Sequence, residues 1–385
     1  MPIMKGFPPD PADRVTLANW RTQPYSSWAF HHVREIVPSA EIAHDPENVW
    51  ELARGAQLVS NEEIEAVLAG TQTDAVVVLH KGRIVHEMYR NGMTAGDPHI
   101  LMSVSKSMLG LLAGCLLGKG LLDLDAPLTS YVPELAETAY AGATVRQALD
   151  MRAGVSFSED YEALSGPIIA YRKAANWNPV EPGDVVPDLR SFQLMLTEPD
   201  GPHGGRFHYV SPVTDLLAWV FERATGTRYA DLMSEHLWRP MGAEKAAYIT
   251  VDRIGGARAA GGMCVTARDL ARVGALMCQG GARDGKSVIA GTWLNDIVHN
   301  GDRQAWVEGD FHDRFAMYDM CYRSKWYVHR GEAPLIHGMG IHGQYLFADP
   351  TRDLSIALLS SEADPVSDHA FAPRMALVRL LQAAV

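Results

Sequence analysis

The sequence predicts an α+β fold of two lobes: an antiparallel sheet built from both chain ends with flanking helices, and a mostly helical middle. Three observations predict it. β-rich runs lie near both ends of the chain, at 74–89 and 344–360. The segments between them carry apolar residues at helical spacing. The chain, at 385 residues, is long for one core, so two lobes of a single domain are expected. Residues 1–95 with 280–385 would form the α/β lobe, and 96–279 the helical lobe.

Residues 1 to about 50, rich in Pro, Trp and polar side chains, read as an extended arm. A short helix over 61–69 follows, with Asn61 as its N-cap and acidic residues in its first turns. Asp74–His80 and Arg83–Tyr89 flank Lys81-Gly82, a two-residue hairpin turn. The apolar segment 100–118 is dense enough for a helix buried on nearly every face. Thr144 caps a short helix to Met151. From Ala153 to about Gly205 the periodicity is poor, which reads as a functional loop or lid. Helices are expected over 214–224, 229–237 and 266–278, the last opened by Thr266-Ala-Arg-Asp269, a capping-box spacing. Gln344–Asp349 and Leu354–Ser360 form a second hairpin, and 369–384 a closing helix.

The segment at 100–118 holds a Ser-x-x-Lys pair, Ser103 and Lys106. At this spacing the two side chains project from one helix face and can meet. The chain has eight lysines, and the other seven sit in polar or Gly-containing stretches that read as surface. Burial disfavours the ammonium form, so Lys106 becomes a candidate general base for Ser103. The bland alternative is a lysine that snorkels from a helix end.

Composition narrows the field. A net charge of −12 and the lack of a basic cluster interleaved with aromatics speak against nucleic acid and anionic membrane. Four cysteines without CxxC spacing read as reduced core residues of a cytoplasmic protein. The first ten residues lack the apolar core of a signal peptide, and the longest apolar run is too short for a bilayer. No Gly-x-Ser-x-Gly elbow and no Gly-rich phosphate loop occurs. Neither a metal site nor a cofactor is expected, because His31, His32 and His99 lack partners at ligand spacing.

Two further stretches could carry chemistry. In Phe207-His-Tyr-Val-Ser211 the phenol of Tyr209 could relay a proton if a lysine lowered its pKa toward working pH. In Ile336–Gln344 the glycines allow close backbone approach, and a strand-edge N–H could serve as an oxyanion donor. His337 and His342 read more simply as hydrogen-bonded loop histidines.

In this order (Ser-x-x-Lys, Tyr-x-Ser about a hundred residues later, a Gly-rich strand entry near the end) the chain resembles the serine β-lactamase and penicillin-recognising superfamily. It is most similar to the class C type, to family VIII esterases, and to 6-aminohexanoate-dimer (nylon-oligomer) hydrolases. The similar segments include Trp28–His32, Val37–Ala40, Leu101–Ser107, Tyr131–Leu135, Glu159–Tyr161, Thr266–Gly274 and Gly340–Gln344. The resemblance implies a β-lactamase-like fold. It makes Ser103 the nucleophile, Lys106 the base and Tyr209 the proton relay, with Ser211 hydrogen-bonded in their network. The oxyanion hole would use the N–H groups of Ser103 and Ile341. Tyr161 would be a loop tyrosine that reaches the scissile bond. Arg172, Trp326, Tyr327, Gly340 and His342 would border the substrate, and a homodimer is implied.

Two departures bear on substrate. The third motif reads Gly338-Met339-Gly340, without the Lys that holds a β-lactam carboxylate, which argues against efficient β-lactam hydrolysis. Where the nylon-oligomer enzymes have acidic residues for a substrate amine, this chain has Arg172 and Val366, with Asp364 nearby. The expected activity is hydrolysis of small-molecule esters or linear amides through an acyl-enzyme. The alternatives are a D-amino-acid peptidase or amidase of the same fold, and a catalytically silent penicillin-binding-like receptor.

Overall fold

The computed structural model describes residues 3–366 and 371–385. Thirteen strands are numbered in chain order: Ser39–Ile42 (β1), Thr73–His80 (β2), Arg83–Tyr89 (β3), His99–Ile100 (β4), Ala247–Thr250 (β5), Met263–Val265 (β6), Ala282–Arg283 (β7), Lys286–Ser287 (β8), Met320–Arg323 (β9), Trp326–His329 (β10), Leu335–Gly340 (β11), Gln344–Asp349 (β12) and Leu354–Ser360 (β13). Seven of them form an antiparallel sheet in the order β3-β2-β13-β12-β11-β10-β9, so strands from both chain ends meet at the β2–β13 pair. The hairpin turn at Lys81-Gly82 is present, with both residues at positive φ.

Both faces of this sheet are covered, which is why β2 reads as a nearly continuous apolar run. Ala75, Val77 and Leu79 face a core shared with the helices Val104–Gly118 and Ala267–Cys278. Val76 and Val78 face a second core with Leu377, Val378 and Leu381 of the closing helix, Phe371–Gln382. The start proposed for that helix, at residue 369, lies outside the described residues.

The Val104–Gly118 helix is buried along almost its whole length, as expected. Gly110 is required there. A Cβ at this position would lie 2.0 Å from the Ser324 carbonyl oxygen, at the tip of the β9–β10 hairpin. That tip also carries Lys325, which is fully buried and not on the surface, its Nζ donating to the Ala148 carbonyl at 2.7 Å.

Three sequence expectations change. The N-terminal arm and the middle are not strand-free: β1, β5, β6 and β4 make a second, four-stranded sheet. Its strands are two to four residues long, too short for a period-2 pattern to register. Ser60 and not Asn61 caps the Asn61–Val67 helix, in a capping box with Glu63. The 153–205 stretch contains two helices, Pro167–Ala174 and Leu189–Gln193. By contrast Thr144 and Thr266 are N-caps as read, their hydroxyls accepting from the N–H groups of Gln147 and Asp269. All four cysteines are free thiols.

Candidate active site

The short strand β4 feeds directly into the turn that carries Ser103. Leu101 N–H donates to Met263 O at 2.8 Å, and Ser105 Oγ accepts from Met263 N–H at 3.1 Å, so β6 holds the turn from both sides. Met102 sits at φ 45, a left-handed conformation that is unfavourable for a side-chain-bearing residue and needs such support. Ser103 occupies the N-cap position of the Val104–Gly118 helix, yet its side chain makes no capping hydrogen bond. The hydroxyl that usually serves a helix end is therefore available for chemistry.

Lys106 lies one helical turn further on, 1% exposed. Its Nζ is 2.9 Å from Ser103 Oγ and donates to Ala260 O at 2.7 Å. Burial brings its pKa down to about 7, with Arg258 acting in the same sense and Glu159 and Asp215 opposing. A substantial neutral fraction near pH 7 can thus accept a proton from the serine. The Tyr209 ring lies 4.9 Å from Lys106 Nζ. The expectation of a lowered Tyr209 pKa is not met: burial, and then Glu159, push it up, while a hydrogen bond with Ser103 and the charge of Arg258 act the other way. Tyr209 is a neutral phenol, suited to donating a proton. Its backbone N–H is fixed by Asp310 Oδ2 at 2.8 Å, and Phe311 packs against its ring.

Gly340 ends β11 against the Ser103 turn. A Cβ there would lie 2.7 Å from Leu101 O and 3.0 Å from Ser103 N, so only glycine lets the strand come this close. The following residue, Ile341, borders the same cavities as Ser103. Among the described residues neither the Ser103 nor the Ile341 N–H donates to a protein acceptor, which leaves both for a ligand oxygen.

Ser211 does not bond Lys106 or Tyr209. Its N–H and Oγ both donate to the Glu159 carboxylate, at 2.5 and 3.1 Å, and Tyr161 OH donates to the same carboxylate at 2.7 Å. Glu159 is thus the hub that ties the loop tyrosine to the Tyr209 segment. It belongs to Glu159–Tyr161, one of the segments that carry the resemblance, but nothing in a surface-type residue of an aperiodic loop indicates a central place. Arg172 does border the site, and it donates to the Tyr161 carbonyl at 2.9 Å.

Two of the residues expected at the substrate are elsewhere. Tyr327 borders the cavity, but Trp326, its strand neighbour, is 0% exposed in the core on the opposite face of the sheet. Successive strand residues point to opposite faces, so the pair could not share a role. His342 is turned away and buried, its Nδ1 2.8 Å from Glu362 O and its ring edge-on to Phe30. His337 departs from its reading as a hydrogen-bonded loop residue: it is buried in β11, with no hydrogen-bond partner for either ring nitrogen among the described residues and its ring stacked on Tyr327.

The β-lactamase family profile matches residues 61–380. The 6-aminohexanoate-dimer hydrolase of Paenarthrobacter ureafaciens is 37% identical over 366 residues, covering 94% of this chain and 92% of its own. A solved structure from Bacillus anthracis, provisionally assigned as a 6-aminohexanoate-dimer hydrolase, superposes with a TM-score of 0.86 at 26% identity, over 96% of this chain and 97% of its own. A family VIII carboxylesterase shares the fold, with a TM-score of 0.62 at 16% identity over 86% of this chain and 99% of its own. The profile match spans most of the sequence and the identity runs nearly end to end; on both grounds the chain belongs to the β-lactamase family.

Proposed function

We propose that this protein is a serine hydrolase that forms an acyl-enzyme on Ser103 and cleaves carboxylic esters and linear amides. The observation that carries this reading is the contact between the buried Lys106 Nζ and Ser103 Oγ, 2.9 Å apart, with the lysine held near pKa 7. Neutral Lys106 takes the Ser103 proton as Oγ attacks the carbonyl carbon. The developing oxyanion is received by the N–H groups of Ser103 and Ile341. Tyr209 gives its proton to the leaving group and regains one from Lys106, and a water then hydrolyses the acyl-enzyme over the same groups. Linear amides are included because a relative at 37% identity is named for hydrolysis of the 6-aminohexanoate dimer. A cytoplasmic location is part of the proposal, supported by four free cysteines. Among the described residues no helix is long and apolar enough to cross a membrane.

The test is hydrolysis of p-nitrophenyl acetate by wild type and Ser103→Ala. Loss of the nucleophile should lower turnover about 10³-fold or more, with an unchanged circular-dichroism melt. A mutant with the wild-type rate would end this assignment. A fluorophosphonate adduct on Ser103, seen by mass spectrometry, separates an enzyme from a silent receptor.

A further inference from the structure

Ser103 stands between two cavities. The larger, about 210 Å³, is bordered by Tyr209 and by aromatic side chains such as Phe311, Tyr327 and Tyr345. The smaller, about 30 Å³, is bordered by Arg21, Arg172, Arg258 and Lys106 together with Glu159. Cations crowd this small space. Burial, followed by the charges of Arg172 and Arg258, brings Arg21 down to about 9. Burial lowers Arg172 as well, with Arg258 adding to the effect and Tyr161, Glu159 and Asp160 opposing it.

The neighbouring carboxylates are already engaged. Asp215 Oδ2 accepts from Arg258 and from Tyr171 OH, each at 2.5 Å, and Glu159 holds Ser211 and Tyr161. Arg21 and Arg172 form no ion pair among the described residues. Arg172 donates to a backbone carbonyl, and Arg21 donates to the neutral Asn178 Oδ1 at 2.5 Å. Arg21 Nε is sealed from solvent, with no hydrogen-bond partner among the described residues. Partly buried guanidinium groups with no carboxylate in direct contact among the described residues are stabilised once an anion enters.

We infer that the smaller cavity is a subsite for a carboxylate on the acyl part of the substrate, held by Arg21 and Arg172. The side follows from the hydrolase reading, on which this inference rests. Tyr209, the leaving-group acid, borders only the larger cavity, so the leaving group lies there and the acyl group turns toward the arginines. The volume has room for about two water-sized groups, enough for a carboxylate a few atoms from the scissile carbonyl. The enzyme is then selective for half-esters or half-amides of short dicarboxylic acids, and it disfavours an acyl group that ends in a cation.

The experiment compares monoethyl succinate, ethyl butyrate and ethyl 4-(trimethylammonio)butyrate, with acid release followed for wild type, Ser103→Ala and Arg21→Gln. The expected wild-type order of kcat/KM is anionic, neutral, cationic, with the anionic ester favoured about 10- to 100-fold over the neutral one, as for one charge-assisted hydrogen bond. In Arg21→Gln that ratio should fall at least about tenfold. Ser103-dependent hydrolysis with a flat or reversed wild-type order overturns the subsite and leaves the hydrolase reading standing; this arm needs no variant to fold. If no ester is hydrolysed, the hydrolase reading falls, and calorimetry with millimolar succinate decides the subsite. Binding that is weakened in Arg21→Gln supports it, and absence of binding to wild type overturns it.

Discussion

At the residue scale the proposed chemistry depends on one amine kept dry. Lys106 can act as a base only when unprotonated, so kcat/KM should rise with pH through about 7 and then level off. A flat profile between pH 6 and 8 would argue that another group takes the Ser103 proton. The same shift has a stability consequence of definite sign. The folded pKa of about 7 lies below the ordinary 10.5, so between these values the unfolded chain binds more protons. The destabilisation from burying Lys106 is therefore fully present below pH 7 and fades as pH rises toward 10.5. Lys106→Met should be inactive, and its stability should gain most over wild type at low pH, as read by urea melts across that range. Tyr209 contributes in the opposite protonation sense, as a phenol that holds its proton until the leaving group needs it.

At the element scale Ser103, the proposed nucleophile, is held by a helix, a short strand and a hairpin tip that all meet closely. The Val104–Gly118 helix presses on the β9–β10 hairpin at Gly110, where Ser107 Oγ also donates to the Lys325 carbonyl at 2.8 Å. A methyl group at Gly110 must displace backbone, because a Cβ would sit 2.0 Å from Ser324 O. Gly110→Ala should therefore lower stability by about 1–3 kcal/mol, the usual range for overpacking, as measured by denaturant melts. An unchanged midpoint would mean that the hairpin yields freely. The strand β10 makes a related point with Trp326 and Tyr327. One faces the core and the other the cavity, and a β pattern read without its register cannot say which.

At the scale of the whole molecule, distant segments converge on Asp215. It lies on the Pro212–Thr225 helix and accepts from Arg258, from Tyr171 on the Pro167–Ala174 helix, and from Ala260 N–H at 2.8 Å. The carbonyl of Ala260 is the acceptor for Lys106, so the cluster fixes the residue that orients the proposed base. Asp215→Asn leaves Arg258 buried without its counter-charge. The expected loss is about 3–5 kcal/mol, the range for removing one partner of a buried pair, with a lower denaturation midpoint and reduced ester turnover. A fully stable variant would show that Arg258 finds another partner.

The sequence alone carried the sheet from both chain ends, the buried Ser103 helix and the pairing of Ser103 with Lys106. Each is written in local terms: period-2 runs around turn residues, an apolar run too dense for a surface helix, and two polar side chains one turn apart. Ser103, Lys106, Tyr209 and the Gly340–Ile341 strand entry were legible because spacing and residue type suffice to name them, and the tertiary structure brings them together. What the fold alone decided are contacts between segments far apart in the chain. Glu159 as the hub for Ser211 and Tyr161, Ala260 as the acceptor for Lys106, and Arg21 from the N-terminal arm beside Arg172 have no local signature. The four-stranded sheet that grips the Ser103 turn has no local signature because its strands are too short to show a period. Charge and burial at the two cavities beside Ser103 are likewise sums over many segments, so the candidate nucleophile could be read from the chain and the shape of its substrate could not.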